Sequence, residues 1–195
     1  MIDASIIKYS MKNNAINFID LARKRQSVRS YDIKPVKAEI IDRCIEAARL
    51  APSACNSQPW KFIIVNDPDL RYKVADSTSN KILPINHFTK EAPVLVVVVR
   101  ENPNFTSKMG EIIKDKTFTL IDLGIATIHF CLQAAAEGLG TCILGWFDEN
   151  RIKKLLKIPR SKRAELIITV GYPKNGQIRD KKRKDFHEIV SYNSY

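Results

Sequence analysis

Between residues 122 and 137 the chain carries Leu123, Ile125, Ala126, Ile128, Phe130, Leu132, Ala134, Ala135 and Ala136, and Gly138 follows as a natural stop. This apolar set surrounds a helix axis instead of marking one stripe, so the helix needs burial on every side. In a chain of 195 residues the centre of an obligate dimer is one place to find it, because such interfaces resemble a core cut in half. His129 lies on this helix and reads as a packed or interface histidine rather than a catalytic base. Residues 94–100 add the second constraint. They are continuously apolar and β-branched up to Arg100, as a central strand covered on both faces would be, so helices are expected on both sides of a sheet.

Other elements follow from period and punctuation. A helical run covers 18–24. Ile40, Ile41, Cys44, Ile45 and Ala48 recur at helical spacing, with Glu39, Asp42, Arg43 and Glu46 on the other face. Pro52 disfavours helical geometry at Ala51, so that helix stops there and delivers residues 53–59 as an ordered, non-helical loop. Strands are expected at 61–65, 141–144 and 165–171, and helices at 68–75 and 149–156. No repeat, low-complexity block or linker divides the chain, so it reads as a single domain, 1–195, with an amino-terminal extension at 1–16. The tail from 186 carries Phe186, Ile189, Val190 and Tyr192, which need a surface to cover, such as a partner subunit.

Composition narrows the chemistry. The formal charge of +11 implies attraction to anions: a phosphorylated ligand, nucleic acid or a membrane surface. The excess thickens at Arg179, Lys181, Lys182, Arg183 and Lys184, which in isolation read as a solvated tail or a weak nucleic-acid patch. Four cysteines, Cys44, Cys55, Cys131 and Cys142, form no Cys-x-x-Cys pair, which argues against zinc and iron–sulfur centres and leaves free thiols in a reducing compartment. The strand-like apolar runs fall far short of the ~20 residues of a membrane span, and the first residues lack the pattern of a secretion signal. A cytoplasmic location, with no membrane partner, is the expectation.

Four constellations carry chemistry. In extended backbone, Arg25, Ser27 and Arg29 share a face; two guanidinium forks and a hydroxyl suit a phosphate, although the pentapeptide alone also reads as a solvated basic turn. Asn56 and Gln58 bring two carboxamides close to Trp60, and a carboxamide both donates and accepts, as the pyrimidine edge of an isoalloxazine ring requires; taken alone, a loop rich in Ser and Asn is more often just a turn. The stretch 140–147 reads as a strand ending at Gly145, where a flat ligand can approach the backbone or where the glycine simply closes a tight strand end. Lys181 and Arg183, again two apart, are the fourth. Gly-x-Gly-x-x-Gly after a strand, Gly-x-x-x-x-Gly-Lys-Ser/Thr, Gly-x-Ser-x-Gly and His-Glu-x-x-His are all missing, which removes dinucleotide-fold, P-loop, serine-hydrolase and zinc-protease readings.

With these residues in order, the sequence resembles the FMN-dependent nitroreductase family. Arg25-Gln26-Ser27-Val28-Arg29-Ser30-Tyr31 resembles the family's Arg-Arg-Ser-x-Arg-x-aromatic opening. The stretch from Glu46 through Pro52-Ser53-Ala54-Cys55-Asn56-Ser57-Gln58-Pro59-Trp60 to Phe62 resembles its most distinctive motif nearly residue for residue, with Cys55 where the family commonly has glycine. Asp122-Leu123-Gly124 through Cys142 resembles the dimer-core helix and the strand after it, and Lys181-x-Arg183 the closing phosphate clamp.

The resemblance implies an α+β, three-layer α/β/α fold with a mixed, mainly antiparallel sheet, as an intertwined homodimer. It implies FMN, with Arg25, Gln26, Ser27, Arg29, Lys181 and Arg183 holding the phosphate. Pro52, Ser53, Ala54, Asn56 and Gln58 would come from the other subunit, and Leu144, Gly145 and Trp146 would line the ring. NADH or NADPH would supply hydride, and a nitroaromatic, quinone or similar small acceptor would receive electrons. The flavin carries that chemistry, so no residue is named as catalytic and no metal is expected. Other flavin chemistry on the same fold (reductive dehalogenation, ene reduction, flavin breakdown) and a basic nucleic-acid-binding module are the alternatives. The segment 101–116, where the family inserts a substrate cover, is short.

Overall fold

The computed structural model describes residues 17–79 and 85–195; the amino-terminal extension lies outside the described residues. Helix α1 (Phe18–Lys24) opens on Asn17, whose side chain accepts the Ile19 N–H. Helix α2 (Ala38–Arg49) buries Ile41, Cys44 and Ala48, the face its spacing predicts. Strand β1 (Trp60–Val65), helix α3 (Pro68–Asp76) and strand β2 (Val94–Arg100) follow, with Asp67 capping α3 through Leu70 N–H.

Helix α4 (Phe105–Lys114) and helix α5 (Phe118–Ala136) come next, then strand β3 (Gly140–Leu144), helix α6 (Glu149–Leu155), strand β4 (Arg163–Gly171) and a short helix α7 (Phe186–Ile189). The strands pair antiparallel in the order β1-β2-β4-β3, which puts β2 inside the sheet and β3 at an edge. The expected α+β fold stands, and a parallel bridge between Ser27 and Thr141 adds the mixed character.

Strand β2 shows why its sequence is continuously apolar. Leu95, Val97 and Val99 enter one core with Val74, Ala75 and Ile152 from α3 and α6. Val94, Val96 and Val98 enter another with Cys44, Ala48, Leu123, Phe130 and Ala134 from α2 and α5. The alternation of the pleat thus feeds two helical layers, giving α/β/α.

Two elements differ from the sequence expectation. Segment 101–116 contains α4, capped by Asn104, whose side-chain oxygen accepts the Ser107 N–H. Helix α5 begins at Phe118 instead of near Asp122. Its first turn is satisfied from α4: one Glu111 oxygen accepts both the Thr119 N–H and its hydroxyl, at 2.7 and 2.6 Å. A cap supplied eight residues upstream leaves no local signature. Helix α5 is also long and apolar enough to cross a membrane by length and composition, yet Leu123, Ala126, Phe130, Cys131 and Ala134 are buried inside the fold.

Candidate flavin site

Residues 25–29 leave α1 in extended backbone along the free edge of β3. Arg25 has φ −62 and ψ 117, and the Val28 N–H donates to Thr141 O at 2.9 Å. Two glycines make room for this segment. A Cβ on Gly140 would lie 2.6 to 3.0 Å from three side-chain atoms of Val28, and one on Gly171 would meet Pro93 at 2.5 Å and Tyr31 at 2.9 Å. Tyr31 fixes the far end: its hydroxyl donates to Val28 O at 2.8 Å and pairs with Thr169 Oγ1 at 2.5 Å. Burial raises the Tyr31 phenol well above its ordinary range, so it stays a neutral donor.

The structure brings the first and fourth constellations together. Arg25, Gln26, Ser27 and Arg29 face Arg179, Lys181, Lys182 and Arg183 across a cleft of ≈ 340 Å³, with Asp180 as its one acidic wall residue. Lys181 Nζ donates to Ala22 O and Arg25 O at 2.5 and 2.6 Å, tying the tail to the end of α1. Its pKa is lowered by desolvation and by the neighbouring Arg25 and Arg183, a crowding of like charge that an anion would relieve.

Arg179 is the residue that sequence reading missed. Its guanidinium donates to Ser27 O, and its N–H donates to Gln26 Oε1 at 3.1 Å, while Gln26 Nε2 donates to Gln177 O at 2.8 Å. Gln26 therefore orders the tail, and Arg179 joins the basic wall. The partners are 152 and 153 residues apart, and the only local hint is the density of positive charge around 179–184.

At the end of β3 the Leu144 side chain is buried in the core, so only its backbone is available to a ligand. A Cβ on Gly145 would meet nothing within 4 Å, and Trp146 is 63% exposed. His129 Nδ1 lies 2.8 Å from Ile125 O, one turn back on α5, in keeping with a packed role.

The loop after α2 is ordered, as expected, but it contains a 3-10 turn, Ala54–Asn56, that the sequence reading did not include. Cys55, Asn56 and Gln58 all take positive φ, at 51, 51 and 49 degrees. Each left-handed non-glycine residue costs roughly 1–2 kcal/mol, which gives a physical reason for glycine at the position where Cys55 stands. Internal bonds hold the turn: Gln58 N–H to Ser53 Oγ at 2.9 Å and Gln58 Nε2 to Asn56 Oδ1 at 3.1 Å. Asn56, Gln58 and Pro52 are exposed.

This loop does not line the cationic cleft of its own chain. Ala54 N–H bonds to Asp122 near the start of α5, whereas the Arg25 segment lies against Thr141, just past the other end of that helix, beside a small hollow lined by Ala135, Gly138 and Gly140. Asp122 and Ala135 are about 20 Å apart along the axis at 1.5 Å per residue. In one protomer the loop and the cleft thus lie toward opposite ends of α5.

Comparison with known proteins identifies the fold. The Nitroreductase family model matches residues 22–87 and 80–172. A protein of Archaeoglobus fulgidus, provisionally named an NADH dehydrogenase/NAD(P)H nitroreductase, is 32% identical over 169 residues, covering 84% of this chain and 86% of its own. Iodotyrosine deiodinase 1 of Rattus norvegicus is 27% identical over 205 residues, covering 92% and 70%. The solved structure of an FMN-dependent nitroreductase from Clostridium difficile superposes with a TM-score of 0.71 at 26% identity, covering 91% of this chain and 99% of that one. The chain belongs to the nitroreductase family, a family of oxidoreductases.

Proposed function

We propose that this protein is an FMN-dependent NAD(P)H oxidoreductase that reduces nitroaromatics, quinones or similar small acceptors, working as a homodimer. The observation that carries the reading is the separation of the two halves of the site along α5. The cationic cleft beside β3 and the carboxamide loop before β1 lie at opposite ends of one helix, so a second copy, packed along that helix, is what brings a loop over a cleft. Leu120 and Ile121 on α5 and Ile143 on β3 are exposed in the protomer and offer the apolar surface for it.

The residues present fit a flavin mononucleotide. Arg25, Ser27, Arg29, Lys181 and Arg183, joined by Arg179, supply donors for a phosphate dianion. The open space at Gly145 admits a flat ring against the β3 backbone, and Asn56 and Gln58 of the partner subunit meet its pyrimidine edge. When bound, FMN supplies hydride acceptance from NADH or NADPH and electron delivery to the acceptor. The chain's own part is to grip the phosphate, set the ring and exclude water, with no side chain required as acid or base. Four free cysteines are in keeping with a reducing, cytoplasmic setting. The basic residues of the tail converge on a concave cleft, which favours a small anion over nucleic acid.

The relative named iodotyrosine deiodinase, alike over 92% of this chain, favours one second reading on the same site, reductive dehalogenation. One experiment tests both. Purified protein is loaded with FMN, NADH and NADPH are added in turn without oxygen, and a nitroaromatic, a quinone or an iodinated phenol follows. Bleaching of the oxidised flavin's visible absorbance, followed by recovery with the first two acceptors, supports the oxidoreductase reading. Recovery with the iodinated phenol alone shifts the assignment to dehalogenation. A chain that stays monomeric and takes up no FMN overturns both.

A further inference from the structure

Asp122 stands out as a charged group that the packing of the fold does not need. It is 3% exposed, inside a helix otherwise filled by Leu123, Ala126 and Phe130. Among the described residues it has no ion-pair partner within salt-bridge distance. Its carboxylate accepts from a backbone group, the Ala54 N–H, 3.1 and 3.2 Å from its two oxygens. Burying a carboxylate is costly unless it is hydrogen-bonded, and an apolar side chain of similar size would fill this place without that cost. What a carboxylate adds here is an acceptor aimed at one N–H.

That N–H opens the turn with two left-handed residues, and a third, Gln58, follows it. Ala54 is followed directly by Cys55 and Asn56, whose φ values are both 51 degrees. The turn is held from outside on two flanks. Asp122 pins its first N–H, and Asn104, ahead of α4, donates from Nδ2 to Cys55 O at 2.9 Å and from its backbone to Ser57 Oγ at 2.8 Å. Glu111 and Thr119 lock α4 to α5 behind them, so both flanks belong to one rigid corner.

We propose that Asp122 is a positioning residue for the flavin: by holding Ala54 N–H it fixes the turn that presents the Asn56 and Gln58 carboxamides to the ring bound in the partner subunit's cleft. Burial, and more weakly Glu111, raise the Asp122 pKa above its ordinary value; the Ala54 N–H opposes them, so the loop contact is what favours the ionised form. The proposal rests on the FMN reading above and deepens it.

The test uses the full chain and the variants Asp122→Asn, Asp122→Ala and Ala54→Pro. Proline fits the first position of a helical turn and removes the donor without touching Asp122. Read out are the FMN dissociation constant, the visible spectrum of the flavin at saturating FMN, the oligomeric state and the melting temperature. Expected are a tenfold or greater rise in dissociation constant and displaced flavin bands at saturation for Asp122→Ala and Ala54→Pro. Asp122→Asn, which keeps an acceptor oxygen, stays within about threefold of the parent and keeps its spectrum.

A merely structural role would lower the melting temperature and leave the saturated spectrum as it was. That outcome overturns the proposal, as does equal loss in Asp122→Asn and Asp122→Ala. Should Asp122→Ala fail to fold, Ala54→Pro and Asp122→Asn decide alone. A parent protein that binds no FMN overturns the functional reading and this proposal together, whereas a flavin-loaded parent with unaffected variants overturns only the role of Asp122.

Discussion

Lys181 donates its ammonium to the backbone carbonyl of Arg25 at 2.6 Å, so the tail side of the basic cleft is braced on the opposite wall. The two are 156 residues apart, and the bond closes the cleft from the carboxyl-terminal side. Lys181 keeps its positive charge in the cleft while two of its N–H groups are held by carbonyls, so in the proposed phosphate site the arginines offer the forks.

Arg25→Ala and Arg179→Ala are therefore each expected to weaken FMN binding roughly 10- to 100-fold, the loss of a charge-assisted hydrogen-bonded contact worth about 1.5–3 kcal/mol. Lys154→Ala, on the exposed last turn of α6, serves as the control and is expected to change nothing. The flavin-to-protein absorbance ratio after gel filtration measures all three. Equal retention in Arg25→Ala and Lys154→Ala would remove the phosphate assignment.

Gly140→Ala probes the seat of the same segment. The new methyl would lie 2.8 Å from Val28 Cβ, an atom that no rotamer change can move, so the backbone between Ser27 and Arg29 has to shift. A loss of about 1–3 kcal/mol of stability is expected, together with weaker flavin retention. Chemical denaturation and flavin titration check the two effects, and a variant as stable as its parent would show that the contact is soft.

Cys55→Gly is expected to stabilise the protein. Relief of a left-handed residue is worth roughly 1–2 kcal/mol, and the greater freedom of an unfolded glycine takes back about 0.4–1 kcal/mol. A melting temperature higher by about 2–4 °C follows for a net gain near 1 kcal/mol in a chain of this size. Cys55→Ala keeps the Cβ and should show no gain, so equal melting temperatures in the two variants would refute strain as the cause.

The Arg43–Glu137 pair links α2 to the residue that ends α5 through two bonds of 2.7 Å. The Arg43 guanidinium lowers the Glu137 pKa below its ordinary value, with burial opposing and Gln133 assisting. The carboxylate then binds fewer protons folded than unfolded. Its stabilisation is present above the unfolded value of 4.5 and is lost as pH falls through the lower folded value. Glu137→Gln should melt a few degrees below the parent at pH 7, for a contribution on the order of 1 kcal/mol. The gap should close as pH falls below the carboxylate range, and a gap that persists in acid would assign it to packing.

The amino-acid sequence by itself determined the layers and the chemistry of the pieces. Val94 to Val99 carries its two-sided burial in every residue, Ile41, Cys44 and Ala48 carry the stripe of α2, and Pro52 carries the end of that helix, because periodicity and proline act within a few residues of themselves. The motifs at Arg25 to Arg29 and Pro52 to Pro59 were legible for the same reason. Tertiary structure decided what those pieces do together. Arg179 became part of the basic wall through Gln26 and Ser27, far away in the chain, and α5 gained its first turn from Glu111 on another helix. Asp122 acquired a meaning only when Ala54 was laid against it. Hydrogen bonds between distant segments obey the geometry of packing, and packing leaves no period in the sequence to be read.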